Sequence, residues 1–449
     1  MSTRDKHETR PVAEMLVHSP TDFRVDGAIY TDQALFAAEM DRIFGTTWVY
    51  VAHESEVPQA GDYKTTQIGL RPVIVSRASD GRIHVMLNRC RHRAGAVCRE
   101  SQGNTKLFTC KYHGWTYRVD GSLNAISMRA GGYPSGVDAS SLGLQQVARV
   151  ESYRGFIFAS MALVGPSLTE HLAPVLPYLD HQIDHSPVGR ISVQRGTHRA
   201  LYQGNWKFQA ENSTDGYHGN FVHQSFWKIM GRFGNEGGQH GNYAETDMAK
   251  IMQRREEGRT LGFANGHGIL EYPLPGGGLD AMRRGPHAHY MQLMDGAYTP
   301  ERLLKIMPQY NLWIFPNLGV LLDQIRVVQP LAVDRTEVTL QFYDLDGVPE
   351  AYNQERFDGY ERFFGPASFG SPDDVEMFAM NQVGLQAGEM QWLRLDRGLQ
   401  REQILPDGTR QGHPSDETPQ RAFHRKWFEL MAAANASHAC ETSTKEACA

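Results

Sequence analysis

Two short segments, Cys90-Arg-His92 and Cys110-Lys-Tyr-His113-Gly114-Trp115, constrain this chain more than any other feature. Seventeen residues separate them. Each segment offers one soft thiolate and one imidazole, so two loops would close on a single inorganic centre. Two Cys and two His fit either a tetrahedral zinc or a two-iron two-sulfur cluster with His on one iron. Zinc fingers usually open with paired cysteines and close with paired histidines. One Cys and one His per loop is instead what a Rieske cluster needs, both Cys on one iron and both His on the other. A structural zinc knuckle is the alternative reading of the same four residues.

The 449 residues are too many for one hydrophobic core, so two domains are expected. The net charge of -6 argues against nucleic acid as a partner. The first 14 residues are charged and lack the apolar core of a signal peptide. No apolar run reaches the roughly 18 residues of a membrane span, so no membrane association is expected. Of the five cysteines, Cys98, Cys440 and Cys448 have no evident pairing, which suits a reducing cytoplasm. Cys98 is expected to be a small packed residue, and the other two to be exposed in a polar tail.

Residues 1–20 are polar and are expected to drape on the surface. Apolar spacing predicts a helix over 31–44, then a strand over 48–51. Residues 62–77 read as strand with a break at Pro72, and Asp80-Gly81 turns the chain into a strand over 83–87. Further strands are predicted at 107–109, at 117–119 before Asp120-Gly121, and over 153–160. Residues 45–162 thus read as a small all-β domain with the Cys/His loops at hairpin tips. The 1–44 segment should pack on the other domain. That domain, 163–433, opens with a capping box at Ser167 and Glu170. A strand over 191–202 and a mainly helical 206–223 follow. Residues 231–286 are Gly-rich, with one helix around 247–257, and suit an active-site wall or lid. Three apolar runs over 309–343 predict an antiparallel meander. Helices are expected from Pro372-Asp373-Asp374 and over 423–432, with a tail at 434–449. The fold class is therefore α+β: a small all-β domain plus a larger one with an antiparallel sheet flanked by helices.

A second constellation is Glu211-Asn212-Ser-Thr-Asp215-Gly-Tyr217-His218-Gly-Asn-Phe-Val-His223. Two imidazoles and a distant carboxylate make the facial triad of mononuclear non-haem iron, which leaves positions open for dioxygen. On an ideal helix, residues five apart point ~140° from each other, so a π-bulge would be needed to aim both rings at one metal. Two histidines on a helix are otherwise ordinary core or surface residues.

Taken in order, the two motifs resemble the catalytic α subunit of aromatic-ring-hydroxylating Rieske non-haem iron oxygenases, over roughly residues 40–400. The family carries D-x-Y-H-x₄-H where this chain has D-G-Y-H-G-N-F-V-H. The resemblance implies a 2Fe-2S Rieske cluster on Cys90, His92, Cys110 and His113, and a mononuclear Fe(II) on His218 and His223. By correspondence with the family's G-P-A…D-D segment, the third ligand is Asp374 and Asp373 caps a helix; the residues alone leave Asp373 or Glu376 open. Asp215 would link His218 to His113 of a neighbouring subunit, which implies a head-to-tail homotrimer (α3 or α3β3, with or without a small β subunit). A solvated helix Asp is the plain alternative. Electrons from NAD(P)H would arrive through a separate reductase, with or without a ferredoxin, because this chain has no G-x-G-x-x-G or plant-type cluster motif.

The E-N-S-T-D-G-Y-H run and Trp392-Leu-Arg394-Leu-Asp-Arg397-Gly398-Leu399 look most like the benzoate, toluate, anthranilate and salicylate branch. That implies ring hydroxylation, as cis-dihydroxylation with O2, of an aromatic carboxylate in aromatic catabolism. Arg326 could hold the carboxylate or be a strand residue; Phe221, Phe315 and Phe364 are pocket walls or plain core. The alternatives are a Rieske monooxygenase or demethylase, an electron carrier, and a zinc-stabilised binding protein. An electron carrier would leave ~290 residues without a role on domain-size grounds.

Overall fold

Short strands joined by glycine turns build the cluster-bearing part of the chain. The computed structural model describes residues 10–233, 253, 255–274, 276–321, 323–368 and 370–445. Asp62–Ile68 pairs with Arg71–Arg77; Ile83–Leu87 adds beside the second strand and Gln102–Asn104 beside the first. The turn at Asp80-Gly81 forms as expected, with Gly81 at φ +84°, a geometry glycine adopts without a Cβ clash. The break expected at Pro72 falls instead at Gly69-Leu70. Pro72 lies inside the strand, opposite Gln67, just beyond the register of Ile83–Leu87, where no ladder partner needs its missing N–H.

A second sheet joins Leu107–Thr109, Thr116–Arg118 and Leu123–Ala125. A third joins Arg149–Tyr153, Phe156–Ser160 and Val49–His53. The single strand predicted over 153–160 is thus a hairpin. It turns at Arg154-Gly155, both with positive φ, as a two-residue primed turn requires. Phe156–Ser160 is buried on both faces: Ile157 and Ala159 pack into one core, Phe156 and Phe158 into another. This sheet therefore seats the all-β part on the rest of the molecule.

The rest is organised by a nine-stranded antiparallel sheet. Its order is His198–Tyr202, Arg335–Phe342, Gln324–Ala332, Leu318–Leu321, Gln309–Ile314, Gly268–Tyr272, Arg259–Gly262, Arg410–Gly412, Gln403–Ile404. The meander predicted from three runs has four strands, because the middle run folds back between Leu321 and Gln324. The strand predicted over 191–202 splits into Ile191–Ser192 and His198–Tyr202, which belong to different sheets. The Gly-rich stretch supplies two strands of the main sheet as well as loops. The helix expected around 247–257 lies largely outside the described residues; residues 253, 255 and 256 are helical.

Strand alternation sorts the sheet's two faces. In Gln324–Ala332, Ile325 and Val327 face the core that includes Leu179, Met291 and Leu303. Val328 faces the opposite core, with Trp206, Phe378 and Trp427. The second face carries the helices Trp206–Asn212, Ser371–Gly384 and Thr418–Lys445, the last running past the 423–432 expected for it. The amino-terminal segment also belongs here. Phe23–Asp26 pairs with Trp392–Arg394, and the Gln33–Arg42 helix is capped by Asp32.

One fully buried charge pair pins the Trp206–Asn212 helix. Glu39 and Lys207 are both 0% exposed and paired, and the Trp206 and Trp427 indoles donate to the same carboxylate at 2.8 and 2.6 Å. Such a pair contributes little net stability, but breaking it leaves a buried charge at a cost of about 3–5 kcal/mol. Among the described residues no helix is long and apolar enough to cross a membrane.

Candidate metal centres

The two Cys/His loops are built on one plan. Cys90 N–H donates to Gly95 O and Ala94 N–H to Cys90 O; Cys110 N–H donates to Trp115 O and Gly114 N–H to Cys110 O. The fourth residue after each Cys has positive φ, Ala94 at 61° and Gly114 at 71°. The loops thus present their ligands with matching geometry. Both Cys are buried, while His92 is exposed and His113 partly so, with ring centroids 4.5 Å apart. His92 stacks on Trp115 at 5.1 Å. The loops approach closely, since a Cβ on Gly95 would lie 3.4 Å from Cys110 Sγ. Tyr117 Oη lies 3.1 Å from Cys90 Sγ and accepts from Arg91 N–H at 3.1 Å. Two inner sulfurs and two outer imidazoles fit a Rieske cluster, with Tyr117 able to donate to a cluster thiolate.

The second centre forms where a helix ends early. Trp206–Asn212 stops at its C-cap Ser213, and the chain bends through Thr214, Asp215 and Gly216. Asp215 Oδ1 accepts from the N–H of Tyr217 (2.8 Å) and of His218 (3.0 Å), which starts a 3-10 turn at His218–Asn220. The next helix begins at Gln224. The mainly helical stretch expected over 206–223 is thus broken after Asn212, and the π-bulge that would have aimed both rings is absent. The bend does that work: the His218 and His223 rings stand 5.2 Å apart at 76°. Gly219 permits it, because a Cβ there would meet His223 Cδ2 at 3.3 Å. Asp215 is likewise not on a shared helix face with His218.

Asp374, in the first turn of Ser371–Gly384, completes a group with these histidines. Its Oδ1 is 3.5 Å from His218 Nε2 and 3.4 Å from His223 Nε2. One donor atom from each of the three lies within 4.8 Å of the others. Asp374 is 5% exposed. Asp373 instead accepts from Ser225 Oγ at 3.2 Å, and Glu376 is exposed, so neither joins the group. Burial, aided by His218, Arg255 and Arg326, pushes the His223 pKa down to about 3, so its ring is neutral and offers a lone pair. Burial also raises the Asp374 pKa, against the pull of His218, Arg326 and Asn212, as expected of a carboxylate awaiting a cation. Two imidazoles and one buried carboxylate fit a mononuclear iron and leave room for dioxygen and substrate.

Asp215 Oδ1 stands 3.4 Å from His218 Nδ1, an ion-pair separation that does not make a hydrogen bond. Asn212 was not singled out from the sequence. Its Nδ2 lies 3.2 Å from both His218 Nε2 and Asp374 Oδ1. Nothing in its residue type marks that role; only its place at the end of the helix before the bend does. Of the aromatic candidates, Phe221 is 78% exposed and is not core. Phe315 is core, packed on Phe423. Phe364 lies beside Arg326, 5.7 Å from Cζ to the ring centroid. Cys98 is buried, as expected. Cys448 and the side chain of Cys440 lie outside the described residues.

Family models match the chain twice: the Rieske [2Fe-2S] domain over residues 47–137, and the catalytic domain of the ring-hydroxylating alpha subunit over 188–433. The chain is 35% identical to the 2-halobenzoate 1,2-dioxygenase large subunit of Burkholderia cepacia, across 84% of this chain and 80% of that protein. It is 33% identical to the anthranilate 1,2-dioxygenase large subunit of Acinetobacter baylyi, with the same two coverages. A solved structure of a naphthalene 1,2-dioxygenase mutant bound to phenanthrene superposes with a TM-score of 0.80 at 25% identity, covering 94% of this chain and 95% of that one. The chain belongs to the ring-hydroxylating alpha-subunit family, as a Rieske non-haem iron dioxygenase with a 2Fe-2S cluster and a mononuclear iron. The first two relatives are named as large subunits, and a naphthalene 1,2-dioxygenase of Pseudomonas aeruginosa, 30% identical over 77% of this chain, as the large oxygenase component of a system.

Proposed function

We propose that this chain is the terminal oxygenase that cis-dihydroxylates the ring of an aromatic carboxylate, in aromatic catabolism. The observation that carries the reading is the group of His218, His223 and Asp374 donors in a chain that also holds the paired Cys/His loops. Similarity to dioxygenases named for 2-halobenzoate and anthranilate supports the substrate class. In this reading Cys90 and Cys110 hold one cluster iron, His92 and His113 the other, and His218, His223 and Asp374 the mononuclear iron. When bound, the cluster supplies electrons singly and the iron activates dioxygen beside the ring.

The chain's own residues prepare the site. Burial keeps His223 neutral, and Asn212 steadies the Asp374 oxygen it shares with His218. Asp215 is the bridging residue between the centres: held by two backbone N–H groups, its carboxylate faces His218 Nδ1 and would accept from His113 of a neighbouring copy. Its side chain is 19% exposed, which supports access from a second chain. This bridge needs a head-to-tail ring, a trimer of such chains with or without a β subunit. The reductase acts directly or through a ferredoxin, and the cytoplasm is the compartment. We divide the chain at 45–162 for the cluster domain and 163–433 for the catalytic one, with 1–44 on the latter. Pairing of Phe23–Asp26 with Trp392–Arg394 supports that last placement.

The test is product analysis of the purified oxygenase, with its reductase, against a panel of aromatic acids. A cis-diol from an aromatic acid is expected, from a red-brown protein with two cluster irons and one mononuclear iron per chain. Products from neutral arenes alone would overturn the substrate class. A colourless protein with stoichiometric zinc would overturn the whole reading.

A further inference from the structure

Buried polar atoms without a hydrogen-bond partner gather on one face of the nine-stranded sheet. They are Asn311 Oδ1, Trp313 Nε1, both amide atoms of Gln324, and Arg326 Nε. Strand register brings these residues together. Asn311 is opposite Leu321, which is opposite Gln324; Trp313 is opposite Gly319, which is opposite Arg326. Directly opposed residues share a face, and so do residues two apart on one strand. All four side chains therefore rise from the same face, the one that carries the Trp206–Asn212 helix.

Gly319 lets neighbouring side chains close in between Trp313 and Arg326. A Cβ there would meet Leu321 Cδ1 at 2.6 Å and Arg326 Cβ at 3.4 Å, with Ser213 Oγ at 3.7 Å. Ser213 begins the bend that leads to His218. Arg326 also reaches the triad from its other side. Its guanidinium lies on Phe364, Phe364 packs on Phe363 at 4.7 Å, and Phe363 packs on the His223 ring at 4.9 Å.

Arg326 is 3% exposed and its Nε has no hydrogen-bond partner; among the described residues its guanidinium makes no ion pair, and Asp374 acts on it only from beyond ion-pair distance. Arg356, on the helix Glu350–Phe364, is the contrast: also buried, it is held by Asp323 at 2.6 Å. A buried cation without a counter-ion is costly, and a ligand that brings the missing charge removes that cost. The fork of the guanidinium matches a carboxylate bidentately. Gln324 and Trp313 add neutral N–H donors beside it. The spare acceptors, Asn311 Oδ1 and the Gln324 carbonyl, suit an N–H or O–H on the ring next to that carboxylate.

We propose that Arg326, with Gln324 and Trp313 beside it, is an anion subsite that receives the carboxylate of the aromatic substrate and so fixes which end of the ring faces His218, His223 and Asp374. This rests on the proposed aromatic-carboxylate reading and adds the residue that enforces it.

The experiment is calorimetric binding of benzoate, a 2-halobenzoate and anthranilate to the intact holoenzyme, with benzamide as an uncharged isostere, for wild type, Arg326→Gln and Arg326→Lys. Losing a bidentate charge-assisted pair should weaken acid binding about a hundredfold in Arg326→Gln. Benzamide should change by less than about threefold, well under the tenfold that marks 1.4 kcal/mol. Arg326→Lys, which keeps charge without the fork, should lose about tenfold for the acids. Unchanged acid affinity in either variant overturns the subsite, while the carboxylate reading stands if the acids are still turned over. Equal losses for acids and benzamide also overturn it, as the mark of a merely structural arginine. If Arg326→Gln does not fold, the acid-against-benzamide comparison in Arg326→Lys decides alone. Wild type that binds benzamide but none of the acids overturns the carboxylate reading and the subsite together.

Discussion

Replacing Tyr117 by Phe removes one hydroxyl and its two hydrogen bonds to the cluster loop, of which only the one to Cys90 reaches a cluster sulfur. Tyr117 is 0% exposed, so the ring stays packed and only an oxygen is removed. That oxygen accepts from Arg91 N–H and leaves its own proton for Cys90 Sγ, 3.1 Å away. Burial and the bond to Cys90 hold the phenol well above its ordinary pKa, so it stays protonated and is the donor. Reduction adds negative charge to the cluster, and a donor to its sulfur favours the reduced state. Hydrogen bonds to charged groups are worth about 1.5–3 kcal/mol, and about 1 kcal/mol of that should be gained on reduction. For a one-electron couple, 59 mV corresponds to a tenfold change, so the potential should fall by roughly 40 mV. Redox titration of the intact oxygenase, followed by its visible circular dichroism, reads this directly. An unchanged or raised potential with an intact cluster would show that the Tyr117 hydroxyl does not donate to Cys90.

Three further outcomes are expected. His218→Ala, His223→Ala and Asp374→Ala should each empty the mononuclear site and abolish product while leaving the visible Rieske spectrum unchanged; Asp373→Ala should keep its iron, and iron analysis separates them. Asp215→Asn should leave both centres filled yet slow cluster reoxidation by oxygen and substrate at least about tenfold, the lower range for losing a residue that orients a ligand; wild-type rates in rapid mixing would refute the bridge, and an active monomer would refute its crossing between chains. His171 is buried against Phe315 O, and burial pushes its pKa down to about 4. The folded state therefore holds it neutral. Its contribution is full above pH 6.5 and is lost as pH falls towards 4, by roughly 3 kcal/mol. His171→Gln should flatten the fall of the melting temperature over that window by about one proton's worth; an unchanged slope would refute it.

What was legible in the sequence, and what was not, follows from how far apart the determining residues lie. The cluster loops were legible because each is closed by its own backbone within five residues of a Cys, as the bonds Cys90–Gly95 and Cys110–Trp115 show. The turns at Gly81 and Gly121 were legible for the same reason, since a positive φ is a local demand. The helix over 206–223 was misjudged although the local signal was present. Asn212-Ser-Thr-Asp215-Gly is a run of residues whose side chains compete with helical hydrogen bonds, and Asp215 does so, capping the turn at His218. The strands Arg259–Gly262 and Gly268–Tyr272 carried little signal of their own. Their pairing is supplied by Arg410–Gly412 and Gln309–Ile314, many residues away, and strand preference is set largely by such neighbours.

Arg326 marks the limit of this kind of reading. Its sequence context is that of a strand residue, and a strand reading is correct. Its interest lies in what it lacks, a counter-ion in contact, and a missing contact has no signature in the order of residues. Only the register that sets Gly319 beside it, and the bend that sets Ser213 above it, turn a buried strand arginine into a vacant charge beneath the iron ligands. The ligands of an inorganic centre need particular donor atoms and so restrict residue type at short spacing. A pocket floor needs only a face, which any strand pairing in register supplies. Two chains sharing the metal motifs of this one can therefore differ in substrate through residues such as Arg326 and Gln324, with no change in the segments by which the family is recognised.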